Sequence, residues 1–182
     1  MSGAARLVGL VGVSGAGKDT AADYLRERHG FRRIAFADPL KGWVRTIFAL
    51  SDAQLWGEER NRRDDRLGLT PREVYQRFGD ACRAIDPDVL LRAFRAATGA
   101  AVAAGDRIVC TDVRTSAELD ALRAGGWRVF RVVRPGAGAP GSAGEHATET
   151  QLRSVVDGEF DGVLHNGGTV AELHAHLDGL VR

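Results

Sequence analysis

The chain has 182 residues, a length suited to one domain of about 100 to 200 residues with a real hydrophobic core. Its 25 Lys and Arg against 24 Asp and Glu leave a net charge of +1, so nothing in the balance points to nucleic acid or a membrane surface, and any anionic ligand must be held locally. Apolar runs are broken by glycine well short of the roughly 20 residues of a membrane span, and the first residues lack a signal-peptide pattern; a cytoplasmic protein is expected.

Leu7 to Val13 is an apolar, β-branched run that gives way to glycines and then to an Ala-rich amphipathic stretch through Arg28, which predicts strand, tight loop and helix. A short strand is expected at Ile34 to Phe36. Asp38-Pro39 then predicts a helix N-cap with proline in the first turn, the helix running to Leu50. Glu58 to Arg66 is a mixed charge run, expected as a solvated loop or face. Thr70-Pro71-Arg72-Glu73 is a capping box and predicts a helix to about Ala84; Asp86-Pro87 starts another that ends near Gly105.

Arg107 to Thr111 reads as a buried parallel strand, and Thr115-x-x-Glu118 caps a helix that Gly125-Gly126 stops. Arg128 to Val133 is a further strand, Gly136 to Gly144 a mobile loop with nothing to bury, and Asp161 to Leu164 a last short strand. Thr169-x-x-Glu172 opens a C-terminal helix with Leu173, Leu177 and Leu180 on its core side. Strands alternating with capped helices predict an α/β domain over 1–182 in three layers, a mostly parallel sheet of about five strands covered by helices on both faces. Cys82 and Cys110 form no Cys-x-x-Cys pair, so buried reduced thiols are expected in place of a disulfide or zinc site. Of the 25 basic residues 23 are arginines, so the two lysines, Lys18 and Lys41, direct attention to two places as candidates for a compact ammonium, with chance survival of a surface lysine as the other reading.

Gly12-Val-Ser14-Gly15-Ala16-Gly17-Lys18 fits G-x-x-x-x-G-K between a predicted strand and a predicted helix. In that setting loop N–H groups and the helix N-terminus converge on phosphate oxygens, and Lys18 reaches the β- and γ-phosphates of a nucleotide. The motif departs from its usual ending: Asp19 stands where a Mg²⁺-binding Ser or Thr is expected, and the hydroxyl follows at Thr20. A nucleophile elbow is excluded by Ala16, and a dinucleotide fingerprint lacks its last glycine.

Asp112 and Arg114 follow the Arg107 to Thr111 strand and are expected at the ligand edge of the sheet, Asp112 to hold Mg²⁺ and Arg114 to stabilise negative oxygens. No glutamate follows Asp112, and neither lysine sits in a guanine-reading Asn/Thr-Lys-x-Asp motif, which favours a kinase over a hydrolytic switch. On the Thr70 helix Arg72, Gln76, Gly79 and Arg83 form one stripe, opposite Val74, Phe78, Cys82 and Ile85, expected as core. A glycine within that stripe suits close passage of a ligand or backbone, and two arginines beside it suit a phosphate monoester or a merely exposed basic face.

Taken in order, Gly15 to Asp23, Phe36 to Lys41, Arg72 to Gly79, Thr111 to Arg114, Val132 to Gly136, His146 to Glu149 and Asn166 to Thr169 resemble the deoxynucleoside monophosphate kinases of tailed bacteriophages and their bacterial relatives, over nearly the whole chain. The resemblance implies a P-loop NTPase fold, ATP as donor, Mg²⁺ as cofactor and a deoxynucleoside 5′-monophosphate as acceptor. It implies that Gly12 to Thr20 bind the donor phosphates, with Asp19, Thr20 and Asp112 as candidate metal ligands. Asp38, Lys41, Arg72, Gln76, Gly79, Arg83 and Asp112 form the acceptor pocket on this resemblance, Lys18, Arg114 and Arg134 gather around the transferring group, and Asn166 to Gly168 lie near the adenine. The loop from Arg134 through His146 and Glu149 is expected as a lid. Partners are expected to be small-molecule nucleotides, with no nucleic acid or membrane, and a homodimer is left open. Two other readings stand beside it, a kinase for another phosphorylated metabolite such as phosphomevalonate and a nucleotide-binding module without turnover.

Overall fold

The computed structural model describes residues 5–138 and 157–181. In chain order its elements are β1 (Leu7–Val11), α1 (Lys18–His29), β2 (Arg32–Arg33), α2 (Ala37–Phe48), α3 (Asp52–Leu55), a 3-10 turn at Glu58–Asn61, α4 (Pro71–Ile85) and α5 (Val89–Ala103). There follow β3 (Ile108–Cys110), α6 (Ser116–Ala124), β4 (Arg128–Val133), β5 (Gly162–His165) and α7 (Val170–Val181). The strands form one five-stranded sheet in the order β2-β3-β1-β4-β5, and every pairing is parallel. β1 takes the centre because Val8, Leu10 and Val11 can be buried on opposite faces, as a strand with period two between two helical layers demands.

The chain divides into two compact units, Met1–Ala35 with Gly99–Arg182, and Phe36–Thr98. In the first, Val8, Leu10, Phe130 and Val132 face one way and pack with Leu25 of α1 and Leu173 and Leu177 of α7. The other face meets α6: a Cβ added to Gly9 would lie 2.8 Å from Leu122 Cδ1. Helices therefore cover both faces of the parallel sheet. The second unit has its own core, in which Val44, Leu50, Leu55 and Val74 are buried, with Phe48 and Phe78 packed against it and edge to face with each other. Among the described residues no helix is long and apolar enough to cross a membrane.

The three capping boxes form as predicted. Thr70, Thr115 and Thr169 each accept from the backbone N–H three residues on, while Glu73, Glu118 and Glu172 accept from the capping residues' own N–H groups. Four other expectations change. The second strand is Arg32–Arg33, ahead of the apolar run at Ile34 to Phe36; Ile34 still donates to Val109 O, but Phe36 already stands at the N-cap of α2. Asp38 is therefore inside the first turn of α2 and caps nothing, since the helix has no side-chain cap. Ile85, the last residue of α4, is 88% exposed, and Cys82 is only half-buried, so the apolar stripe reaches the core through Val74 and Phe78. Within the charge run Asp64 is sheltered, accepting from Gln54 Nε2 and Arg66 Nη2 at 3.0 Å each, and the Arg66 guanidinium holds its carboxyl at about 2.

Candidate functional site

The loop between β1 and α1 is shaped by its own backbone. Ala16 N–H donates to Val13 O, and the left-handed Gly17, at φ 102°, stands at the N-cap of α1. A side chain at Gly17 would also run into the Asn166 amide, whose Nδ2 donates to Ala16 O at 2.8 Å, so both conformation and space require glycine. Gly12 is fixed by the neighbouring strand, as its Cβ would lie 2.5 Å from Val132 O. Lys18 Nζ turns back onto the loop and donates to Gly12 O at 2.6 Å and Val13 O at 3.0 Å. The result is a ring of backbone with a helix N-terminus behind it and an ammonium across it, the arrangement in which such loops cradle phosphate.

Because all five strands are parallel, the segments after β1, β3, β4 and β5 leave the sheet at one edge, and the expected residues of this unit emerge there. Asp112 and Arg114 follow β3, the neighbour of β1 in register Gly9 to Cys110. Arg134 follows β4, and Asn166, Gly167 and Gly168 follow β5. Cys110 Sγ donates to Asp112 Oδ1 at 3.4 Å; burial, with the charge of Asp112 adding to it, pushes the thiol well above its ordinary range and keeps it a donor. Glu118, lifted by burial, accepts from Arg114 N–H at 2.7 Å and Thr115 N–H at 3.0 Å and so sets the turn that carries Arg114. Asp19 forms an ion pair with Arg33, and Thr20 is exposed in the first turn of α1.

In the second unit α2 and α4 pack together. Leu40 of α2 fills the space beside Gly79: an added Cβ would lie 3.0 Å from Leu40 Cδ2 and 3.6 Å from both terminal nitrogens of Arg83. Arg83 is exposed and donates to Asp80 at 2.6 Å, while Arg72 and Gln76 are half-buried on the same stripe. On α2, Asp38 accepts from Trp56 Nε1 at 2.9 Å, and Lys41 Nζ stands 5.6 Å from the Trp56 ring centroid and 5.5 Å from that of Tyr75.

Over 185 aligned residues, 94% of this chain and 93% of the other, the sequence is 34% identical to a protein of Acanthamoeba polyphaga mimivirus described as a "Putative deoxynucleotide monophosphate kinase". The chain belongs to that kinase family. No family model matches it. Among solved structures an unliganded sugar kinase from Janibacter sp. HTCC2649 matches with TM-score 0.55 at 17% identity, over 97% of this chain and 94% of that one, a likeness of fold. A gluconokinase from Sinorhizobium meliloti 1021 matches with TM-score 0.48 at 17% identity, over 99% and 95% of the two chains.

The kinase thus carries its expected residues in two groups: the loop from Gly12 to Thr20 with Asp112, Arg114, Arg134, Asn166 and Gly168 in the first unit, and Asp38, Lys41, Arg72, Gln76, Gly79 and Arg83 in the second. Asn166, expected near an adenine, is directed onto the phosphate loop itself. His146 and Glu149, and with them most of the expected lid, lie outside the described residues. Cys110 is the buried free thiol that was expected, whereas the motifs missed Trp56, Tyr75 and Arg33. For Trp56 the available signal was that it is one of the chain's three tryptophans and stands just ahead of the charge run from Glu58 to Arg66.

Proposed function

We propose that this kinase transfers the γ-phosphoryl group of ATP to a deoxynucleoside 5′-monophosphate, giving ADP and the deoxynucleoside diphosphate. The observation that carries the reading is the cradle from Gly12 to Thr20, with Lys18 across it and Asp112, Arg114 and Arg134 leaving the same sheet edge. The 34% identity to the mimivirus protein supports the acceptor class, as do the two arginines and the lysine grouped in the second unit. The residues also suit Mg²⁺, since Asp112, Asp19 and Thr20 offer hard oxygen donors, and this ion binds through one or two such groups together with phosphates and water. Those three residues would hold it, and when bound it draws negative charge off the β- and γ-phosphates.

The acceptor phosphate is a dianion near neutral pH and needs no general base. One of its oxygens forms the new bond to the γ-phosphorus, the bond from that phosphorus to the β–γ bridging oxygen breaks, and the electron pair leaves with ADP. The protein has to align the two polyanions and neutralise the moving group. On this reading Lys18 exchanges the carbonyls of Gly12 and Val13 for phosphate oxygens, and Arg114 and Arg134 lie around the equatorial oxygens. Arg72, Arg83 and Lys41 bind the acceptor phosphate, and Asp38 and Gln76 bind its nucleoside. The partners are small-molecule nucleotides.

The test is a panel of the four deoxynucleoside monophosphates, ribonucleoside monophosphates, a sugar and phosphomevalonate, each with ATP and Mg²⁺, followed by ADP release and product identification. Turnover is expected with at least one deoxynucleoside monophosphate at kcat/KM at least about tenfold above the other acceptor classes. Preferential turnover of the sugar or of phosphomevalonate would replace the reading.

A further inference from the structure

The three capping boxes of the chain differ in one bond. At Thr70 and Thr169 the glutamate Oε2 accepts twice from the same residue, from the backbone N–H and from the hydroxyl of the threonine. At Thr115 it reaches one residue further back: Glu118 Oε2 accepts from Thr115 N–H at 3.0 Å and from Arg114 N–H at 2.7 Å. Glu73 and Glu172 are exposed, and their bonds to the capping threonines lower their carboxyls, whereas Glu118 is half-buried and burial raises its own.

The extra bond falls at the ligand edge of the sheet. Residues 111–114, between β3 and the N-cap of α6, belong to no helix or strand, so no ladder fixes their backbone. Val113 is buried and Arg114 exposed, and the N–H that Glu118 holds is that of the peptide joining them. One side of this peptide is thus anchored in the core and the other on a carboxylate, which sets the direction in which the Arg114 side chain leaves the backbone. A glutamate four positions on could have formed a surface ion pair with the guanidinium. Its carboxylate is instead engaged by two peptide N–H groups, and among the described residues the guanidinium has no ion pair or hydrogen bond. The arginine is aimed by its backbone and keeps its donors for an anion.

We propose that Glu118 is a positioning residue of phosphoryl transfer: by holding the Arg114 peptide it sets the direction from which the guanidinium meets the moving phosphoryl group. The inference rests on the reading that Arg114 lies around the equatorial oxygens of that group, whichever acceptor takes it. Glu118 itself touches neither nucleotide.

The test uses the full chain with ATP, Mg²⁺ and the acceptor that the wild type turns over fastest, and reads kcat, both KM values and the melting temperature. Arg114→Ala is expected to lower kcat by about 10²-fold, as loss of a donor to the transition state does. Glu118→Ala should lower kcat about tenfold, with both KM values within about threefold, because a group displaced by about 1 Å loses rate more than binding. Glu118→Gln, whose Oε1 still accepts from both N–H groups, should stay within about threefold of wild type. Thr115→Ala weakens the same helix cap but leaves the bond to Arg114 in place, so it should lower the melting temperature as far as Glu118→Ala does while kcat stays within about twofold. In the double variant of Arg114→Ala and Glu118→Ala, the second change should add less than about twofold, since a residue acting through Arg114 has nothing left to position. An unchanged kcat in Glu118→Ala overturns the inference, as does a Glu118→Ala chain that no longer folds or a double variant in which the two losses multiply. So does a Thr115→Ala or Glu118→Gln variant as slow as Glu118→Ala. A wild-type kcat in Arg114→Ala alone would show that the reading of Arg114 has failed, taking the inference with it, and that result is reached without any change at Glu118.

Discussion

The phosphate loop and the α4 stripe are both proposed to hold phosphate, but they are built in different ways. The loop is a backbone device: its donors are peptide N–H groups, its shape depends on Gly12 and Gly17, and one side chain, Asn166, braces it from another strand. The α4 stripe is a side-chain device on a regular helix, whose backbone is fixed by the Thr70 capping box and whose fit against α2 is set by Leu40 at Gly79. A backbone cradle tolerates few residues at its turning points. A helical stripe tolerates many, because each side chain can be exchanged without changing the path of the chain.

The largest expected effect separates the two by removing the ammonium of the loop. Lys18→Ala should lower kcat by about 10³-fold, since a donor aimed at charge developing in the transition state is lost, while the fold persists. A coupled ADP assay beside thermal melting checks this; loss of activity with a large fall in melting temperature would make Lys18 a structural residue. Lys18→Arg should fail as well, because the guanidinium is too large for the span from Gly12 O to Val13 O that the ammonium now bridges.

On the stripe, Arg72→Ala and Arg83→Ala should each raise KM for the monophosphate by roughly 10- to 100-fold, the range of a lost charge-assisted hydrogen bond, and leave KM for ATP within about twofold. Steady-state kinetics with each substrate varied in turn reads this directly. Equal weakening toward both substrates would place the arginines on the donor, and the distinction between loop and stripe would collapse.

How much of each region could be read in advance follows from how local its determinants are. The loop motif and the three capping boxes are closed within a few residues, so Gly12 to Lys18 and the helices after Thr70, Thr115 and Thr169 were all legible. Asp38 was misread because Asp-Pro is a local cap signal, whereas Trp56, which donates to it, is 18 positions away. Asn166 and Ala16 are separated by 150 positions, and no pattern in either segment discloses their bond. The second strand was misplaced for a related reason: edge pairing to β3 chose Arg32–Arg33, which hydrophobicity alone passes over. Periodicity named Ile85 as core, but the helix ends there before anything can cover it.

Asn166→Ala tests whether the brace belongs to the loop or to an adenine. Losing the bond to Ala16 O should cost about 1 kcal/mol of stability and raise KM for ATP about fivefold. If the side chain acts by bracing the phosphate end, the same factor should appear with GTP as donor, whereas a base contact would alter the ratio between the two nucleotides. Comparing ATP and GTP kinetics in wild type and variant decides it.

The smallest effect is expected at Gly79, and it sharpens the contrast most. At Gly17 an alanine meets both a left-handed backbone and the Asn166 amide, so Gly17→Ala should destabilise the chain by about 1 to 3 kcal/mol and abolish nucleotide binding together. At Gly79 the backbone is ordinary helix, and alanine gains about 1 kcal/mol of helix propensity. Against that, the new methyl sits 3.0 Å from Leu40 Cδ2, the far end of a side chain that can give by a few tenths of an ångström. The two terms are similar in size and opposite in sign, so Gly79→Ala should change stability by less than about 1 kcal/mol. The same methyl lies 3.6 Å from the Arg83 guanidinium, an ordinary van der Waals contact, so Arg83 should keep its place and KM for the monophosphate and for ATP should both stay within about twofold of wild type. Chemical denaturation and steady-state kinetics on this one variant measure both. A clear loss of stability would mean that Leu40 cannot yield; a KM for the monophosphate raised more than about fivefold would mean that the acceptor itself passes beside Gly79.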